Sequence, residues 1–253
     1  MLLNLLRRPV QPMLSVGESG AGEAARPRAP FLLKLNQAGA RTGRAGVTGS
    51  VRCGDRIVLQ GQSGSGKTWL LRALAGFAHT PEGTLRWQNQ EMNTIERESI
   101  HRAVALVSTD SSLIKGSIGR NLGLSNRKAE RLGKVLRDAG IVDEDFGSHD
   151  WQSFRVAEGG ANISGSLHLK ISLARALALP RKLILIDDFD MIADQRTRAS
   201  IMRLWRSSSA AMVIVTQEPS LTADALTRWN LDAQHLHACS VSKAAEIDLA
   251  QAA

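Results

Sequence analysis

Short apolar runs alternate along the chain with amphipathic stretches. The all-apolar runs Leu183–Ile186 and Ala211–Val215 are typical of strands buried on both faces of a parallel sheet. Less regular apolar runs predict four further strands, at 32–35, Arg56–Gln60, 83–87 and 103–108.

Two amphipathic stretches predict helices between these strands. The first covers residues 67–75, and the second covers 127–139, where Leu132, Val135 and Leu136 recur at helical spacing. Strands that alternate with helices predict an α/β fold with a mostly parallel sheet.

Length and composition indicate a folded unit that follows a leader. The chain has 253 residues, 43% of them hydrophobic, which is enough for a sizeable core. Residues 15–30 are rich in Gly, Ala, Ser and Pro, as flexible linkers are. We therefore expect a flexible basic leader over 1–30 and one ordered unit over 31–253.

The net charge of +8 suggests an anionic partner. Residues 1–50 contribute +5 and residues 51–125 contribute +3, so the excess lies in the first half of the chain.

The sequence contains no run of about 18 apolar residues that could span a bilayer. Cys53 and Cys239 fit neither a disulfide framework nor a zinc site, so a reducing, cytoplasmic setting is expected.

A glycine-rich segment follows the strand predicted at Arg56–Gln60. It fits the phosphate-binding loop pattern G-x-x-x-x-G-K-[ST], between a strand and a helix as that pattern requires. In such a loop backbone N–H groups surround the phosphates, the lysine neutralises the β- and γ-phosphates, and the hydroxyl binds Mg²⁺. The sequence thus predicts an ATP and Mg²⁺ site whose residues include Gly61, Ser63, Gly64, Ser65, Gly66, Lys67 and Thr68.

Two carboxylates at the end of the strand Leu183–Ile186 complete the predicted site. Asp187 is expected to bind Mg²⁺ together with Thr68, and Asp188 is expected to face the attacking water. For Asp188 a purely structural role stays open, because adjacent acids at a strand end are common.

The segment 156–177 resembles the signature region of ATP-binding cassette (ABC) ATPases. It contains Ile163-Ser164-Gly165-Ser166-Leu167 followed by Ala174-Arg175-Ala176-Leu177, where the family has LSGGQ and then A-R-A-L. The motif order also matches over residues 31–240, with Asp194 as the dimer-contact acid and Thr216-Gln217 as the switch. The stretches 116–122 and 156–160 look like exporter sequences, and the second contacts the membrane domains in exporters.

This resemblance implies a P-loop NTPase (RecA-like) core with a mostly parallel sheet, an antiparallel β part and an inserted α-helical subdomain. The core would comprise 31–108 and 176–253, and the helical subdomain 109–175. The resemblance also implies an ATP-binding subunit of a membrane transporter, cytoplasmic and peripheral on the inner face of the cell membrane.

The partners implied by the resemblance are a second cassette, identical or different, and a transmembrane transporter subunit. Two cassettes would stack head to tail, with Ser164 and Gly165 of one presenting donors to the γ-phosphate bound by the other. For Ser164 a plain helix N-cap is the structural alternative. Thr109 stands at the Gln-loop position, near the nucleotide.

Five departures from the family pattern favour retained nucleotide binding with weakened hydrolysis. They are Thr109 in place of the loop glutamine, Ser166 and Leu167 in the signature, Asp188 in place of the catalytic glutamate, Gln217 in place of the switch histidine, and no aromatic residue between Phe31 and Trp69. Asp188 is one methylene shorter than glutamate, and Gln217 carries no titratable proton. These two are the predicted catalytic positions.

Three alternatives remain at this point. The chain could be a degenerate regulatory ABC module that dimerises on ATP without transport. A DNA-associated ABC ATPase is disfavoured, because about 95 residues between Lys67 and the signature leave no room for a long coiled coil, so no specific nucleic acid is expected. The triplet His235, His237 and Cys239 would share one face of a strand and could bind a metal, although a plain edge strand is favoured.

Overall fold

The computed structural model describes residues 30–39, 46–109, 111, 113–123, 129–141, 143–187, 189–192, 194–231 and 236–240. The leader predicted over 1–30 lies outside these ranges apart from Pro30. Asp188 and His235 also lie outside them, as do the side chains of His237 and Cys239.

A six-stranded sheet forms the centre of the described part of the chain. Its strands are β3 (Arg56–Gln60), β6 (Val104–Val107), β9 (Leu183–Ile186), β10 (Ala211–Val215), β11 (Thr227–Leu231) and β12 (Leu236–Ser240). The spatial order is β12-β11-β3-β10-β9-β6, and every neighbouring pair is parallel except β11 with β12. Both β9 and β10 are buried along their whole length, which explains their uninterrupted apolar sequences.

A second sheet is antiparallel. It consists of β1 (Phe31–Gly39), β2 (Val47–Arg52), β4 (Glu82–Trp87) and β5 (Gln90–Glu91), in the order β2-β1-β4-β5. Leu33 and Leu35 of β1 and Val51 of β2 are buried in one cluster with Leu59 of the parallel sheet. The antiparallel sheet therefore shares a core with one face of the parallel sheet.

The helices of the described residues lie between the strands. They are α1 (Lys67–Leu74), α2 (Arg97–Ala103), α3 (Ile118–Asn121), α4 (Ala129–Asp138), α5 (Gly165–Ala178), α6 (Gln195–Ser207) and α7 (Pro219–Asp224). A two-stranded antiparallel pair joins β7 (Gly116–Ser117) and β8 (Arg155–Val156), and short 3-10 turns cover Met92–Thr94, Asp143–Phe146, Glu158–Gly160 and Phe189–Met191.

The two faces of the parallel sheet belong to two separate hydrophobic clusters. In β3, Ile57 and Leu59 join the cluster that contains α1, whereas Val58 between them joins the cluster that contains α4, α5 and α6. This alternation follows from the two-residue period of a strand. Each face of the sheet is thus covered, which is what a parallel sheet requires.

The α/β fold with a mostly parallel sheet and an antiparallel part is confirmed, and all six predicted strands form. The strand predicted at 32–35 is longer, Phe31–Gly39, and the helix predicted at 67–75 ends at Leu74. Of the triplet, His237 and Cys239 fall on the edge strand β12, and His235 lies outside the described residues. The boundaries proposed at 108/109 and 175/176 stay predictions.

Candidate nucleotide-binding site

Four adjacent parallel strands bring the predicted site segments to one edge of the sheet. Ile214 of β10 pairs with both Val58 of β3 and Ile186 of β9, and Ile186 also pairs with Val107 of β6. Because these strands are parallel, the segments that follow them leave from the same edge. Those segments are 61–68, 108–109, 187–190 and 216–218, and a crevice at the carboxyl ends of parallel strands is the usual ligand site of α/β folds.

The loop before α1 has the backbone conformation that its glycines allow. Gly64 and Gly66 have φ values of 78° and 100°, in the left-handed region that side chains disfavour. A Cβ atom at Gly61 would lie 2.2 Å from the carbonyl oxygen of Leu231, so only glycine fits there. The loop backbone therefore lies close to β11 at Gly61 and adopts left-handed conformations at Gly64 and Gly66, just before the N-terminus of α1. Phosphate-binding loops require such glycine conformations.

Lys67, the first residue of α1, folds back onto this loop. Its Nζ donates hydrogen bonds to the carbonyl oxygens of Gly61 and Gln62, both at 2.8 Å. The ammonium group is thus held over the loop. Thr68 follows it and is half-buried.

Two further groups suit a phosphate and a metal ion. The hydroxyl of Ser65 is buried and has no hydrogen-bond partner among the described residues, so it can bond to a phosphate oxygen. Asp187 is only 7% exposed at the end of β9, and its N–H donates to the carbonyl of Val107 at 3.0 Å. Hydroxyl and carboxylate oxygens are the ligands that Mg²⁺ prefers, so Thr68 and Asp187 fit this ion.

The predicted signature residues begin α5. Ser164 is the N-cap, and its hydroxyl oxygen accepts a hydrogen bond from Leu167 N at 3.2 Å, while its hydroxyl proton stays available for donation. Ser164, Gly165 and Ser166 are all exposed. The structural alternative named for Ser164, a helix N-cap, is therefore observed, and its role toward a second cassette stays a prediction.

The predicted site residues Thr109 and Gln217 are exposed. Thr109 follows the buried Ser108, and Gln217 follows the buried Thr216. The N–H of Gln217 donates to Oδ2 of Asp190 at 2.7 Å. Asp190 and the neighbouring ion pair between Arg198 and Glu218 were not identified from the sequence, because their partners are distant along the chain.

Phe31, the aromatic residue that precedes the phosphate loop, is covered by cations. The Arg52 guanidinium lies 3.6 Å and the Lys34 ammonium 4.2 Å from the centroid of its ring. These are cation–π contacts within and between the paired strands β1 and β2. The absence of an adenine-stacking residue, which the sequence indicates, stays a prediction.

Comparison with known proteins extends these observations. A sequence model of the family described as ABC transporter matches residues 45–190. The chain is 29% identical over 164 residues to the ABC transporter B family member 24, mitochondrial, of Arabidopsis thaliana, an alignment that covers 64% of this chain and 24% of that protein. It is 30% identical over 159 residues to the iron-sulfur clusters transporter ABCB7, mitochondrial, of Danio rerio, covering 62% of this chain and 21% of that one.

The chain thus spans about a quarter of the length of these curated relatives. Among solved structures, a bacterial Atm1-family ABC exporter with ATP bound matches with a TM-score of 0.70 and 25% identity, over 91% of this chain and 45% of the exporter. None of the helices in the described residues is long and apolar enough to cross a membrane. The matched residues 45–190 include the phosphate loop, the signature segment and Asp187, and they make up more than half of the chain. The chain therefore belongs to the ABC transporter family.

Proposed function

We propose that the chain is the ATP-binding unit of an ABC-type membrane transporter. It binds Mg-ATP between its own phosphate loop and the signature of a second cassette, on the cytoplasmic face of the membrane, and hydrolyses it weakly. The observation that carries this proposal is the family match over 45–190 combined with a phosphate loop of suitable backbone geometry before α1. The relatives whose printed names state export or transport support the coupling to a membrane domain.

The chain's own groups account for nucleotide binding. Backbone N–H groups of the loop from Gly61 to Gly66 bind the phosphates, and Lys67 exchanges its contacts with loop carbonyls for phosphate oxygens. Thr68 and Asp187 hold Mg²⁺, which neutralises phosphate charge when it is bound. Because no aromatic residue lies between Phe31 and Trp69 to stack on the adenine, the base contributes less than the phosphates do.

The second cassette completes the site. The exposed N-terminus of α5 offers the Ser164 hydroxyl, backbone N–H groups and the positive end of the helix dipole to a γ-phosphate. Asp194 caps α6 and is the dimer-contact acid that the family resemblance implies. ATP then links two cassettes, because its phosphates accept hydrogen bonds from the phosphate loop of one and from the N-terminus of α5 of the other.

Hydrolysis is weakened at two positions. Asp188 in place of glutamate moves the general base back by one methylene, and general-base catalysis requires the base within hydrogen-bond reach of the water. Gln217 can donate a hydrogen bond to the γ-phosphate but cannot become charged. The same two substitutions favour a second candidate function, a regulatory ABC module that dimerises on ATP without transport.

A basic cavity of about 550 Å³ supports docking onto a membrane-spanning partner. The described residues that line it include Arg72, Arg175 and Arg181 but no acid. Phe77 also lines it, is 61% exposed and stacks on His101, with ring centroids 4.4 Å apart. A short amphipathic helix that carries a carboxylate beside an apolar side chain complements this cavity in charge and polarity.

Sedimentation velocity tests the proposed function. The native protein is expected to shift toward a dimer when ATP and Mg²⁺ are added, and to stay monomeric with ADP, which lacks the γ-phosphate that Ser164 would contact. The Ser164→Ala variant should bind ATP normally but dimerise less. A native protein that binds ATP without any shift would contradict the head-to-tail site.

A further inference from the structure

The side chain of Asp190 joins two segments of the candidate site. One of its carboxylate oxygens accepts a hydrogen bond from the hydroxyl of Thr216, and the other accepts one from the backbone N–H of Gln217 at 2.7 Å. The Thr216 oxygen in turn accepts a hydrogen bond from Glu218 N at 2.9 Å. One carboxylate therefore holds Thr216 and Gln217 directly, and it holds Glu218 through the Thr216 hydroxyl.

A second contact joins the same two segments. Nη2 of Arg198, in the first turns of α6, donates to Oε2 of Glu218 at 2.7 Å. The Arg198 guanidinium also lies 4.6 Å from the ring centroid of Phe189, and its Nη1 donates to the carbonyl of Ile192 at 3.4 Å. Arg198 thus contacts the turn that follows Asp187 and the residue that follows Gln217.

The two contacts fix the backbone of Gln217 relative to the segment that contains Asp187, the proposed Mg²⁺ ligand. Asp190 lies three residues after Asp187, and β9 and β10, which precede the two segments, are paired in the parallel sheet. The side chain of Gln217 is itself exposed. Its backbone is therefore fixed by Asp190 while its amide group stays free to reach a ligand at the sheet edge.

We propose that Asp190 is a positioning residue that holds Gln217 for contact with the γ-phosphate. The uncharged amide of Gln217 forms a weaker hydrogen bond to the γ-phosphate than a charged side chain would. The net contribution of this hydrogen bond to binding therefore depends strongly on the conformational entropy that Gln217 loses when it forms. Because Asp190 already fixes the backbone of Gln217, that part of the conformational entropy is lost before the nucleotide binds. The inference rests on the proposed nucleotide site, and it predicts that Asp190 acts on ATP binding but not on ADP binding.

The test measures ATP and ADP affinity by calorimetry for the native protein and a set of variants. Asp190→Ala is expected to weaken ATP binding about tenfold and to leave ADP binding within about twofold. Asp190→Asn keeps one oxygen acceptor and should recover part of the ATP affinity. Asp224→Ala removes an exposed acid of α7 and serves as the matched control, with no change for either nucleotide.

A double variant separates positioning from general support of the fold. If Asp190 acts through Gln217, the ATP affinity of Asp190→Ala with Gln217→Ala equals that of Gln217→Ala alone. If Asp190→Ala does not fold, Thr216→Val removes one of the two hydrogen bonds to Asp190, together with the acceptor of Glu218 N, and should lower ATP affinity in the same selective way. Equal losses for ATP and ADP, no loss for either, or additive losses in the double variant would overturn the inference. A native protein that binds ADP but shows no preference for ATP overturns the inference alone, whereas one that binds neither nucleotide overturns the proposed function as well.

Discussion

Lys170 and Asp194 form an ion pair of 2.9 Å between the signature helix α5 and the N-cap of α6. The Lys170 side chain is 7% exposed and also contacts Asp145 at 2.7 Å. Burial alone would lower the pKa of Lys170, but its hydrogen bonds with the two carboxylates outweigh burial, and the pKa is raised. Helix α5, which Ser164 caps, is therefore linked to the segment that contains Asp194.

Replacing Lys170 with methionine should strongly destabilise the fold. Methionine fills a similar volume but leaves Asp145 and Asp194 without their cation, and breaking a buried pair in this way costs about 3–5 kcal/mol. Because Asp194 retains partial contact with water, we expect the lower end of that range. Urea denaturation measures the loss.

Arg196→Ala is the control for this prediction. Arg196 forms an exposed pair with Glu144 at 3.8 Å, and exposed pairs contribute about 0–1 kcal/mol. A Lys170→Met variant as stable as Arg196→Ala would show that the triad with Asp145 and Asp194 does not stabilise the protein.

The ion pair should also make stability depend on acidic pH. Burial alone would raise the pKa of Asp194, but hydrogen bonds from Thr197 and Lys170 outweigh it and lower the pKa below its ordinary value. A carboxyl group with a lowered folded-state pKa stabilises the fold above its unfolded pKa, about 3.9, and loses that contribution as the pH falls through the folded-state value. Urea midpoints of the native protein should therefore fall more steeply below about pH 4 than those of Asp194→Asn. Parallel curves for the two proteins would contradict the assignment.

The fold was predictable where burial is continuous along the sequence. The strands β9 and β10 form at the predicted residues because each is apolar throughout. By contrast β2 was missed, since only Val47 and Val51 of its six residues are buried and its pairing with β1 is set by tertiary contacts. Helix α2 was missed because Ile100 is its one buried residue and leaves no apolar stripe.

The sequence predicted those parts of the candidate site whose functional residues are close together along the chain. The phosphate loop lies within eight residues, so its spacing alone indicates its role. Asp190 is 26 residues from Thr216, and Arg198 is 20 residues from Glu218. No pattern within a short stretch of sequence therefore predicts these contacts. They depend on the strand order of the sheet, which is a property of the fold.

Lys67→Ala should remove most of the nucleotide affinity. Loss of hydrogen bonds to a charged group costs about 1.5–3 kcal/mol, which corresponds to a loss of about 10- to 100-fold. Calorimetry with ATP and Mg²⁺ measures it, and Lys134→Ala on the exposed side of α4 is the control that should bind normally. Unchanged ATP affinity in Lys67→Ala would contradict the site assignment.

Restoring the family residues should restore hydrolysis. The native protein is expected to release phosphate slowly, and the double variant Asp188→Glu with Gln217→His should be faster, because a correctly placed general base contributes about 10²–10⁴-fold. Phosphate release at saturating ATP is the measurement. A native chain that turns over about ten or more ATP per second without a partner would contradict weakened hydrolysis.

Phe77 should contribute to docking and not to nucleotide binding. Its ring is 61% exposed and lines the basic cavity, whose described lining residues include none of the phosphate loop 61–68. Phe77→Asp removes the aromatic ring and adds a negative charge at the surface where an acidic amphipathic helix would bind. The apolar contact is lost, and the new charge repels the acidic helix. We expect less of this variant than of the native protein in washed membranes of the source cells, at unchanged ATP affinity. Leu226→Asp is the control, since Leu226 is also exposed, at 45%, but does not line the cavity. Equal membrane recovery for Phe77→Asp and the native protein would show that the cavity does not dock the membrane-spanning partner.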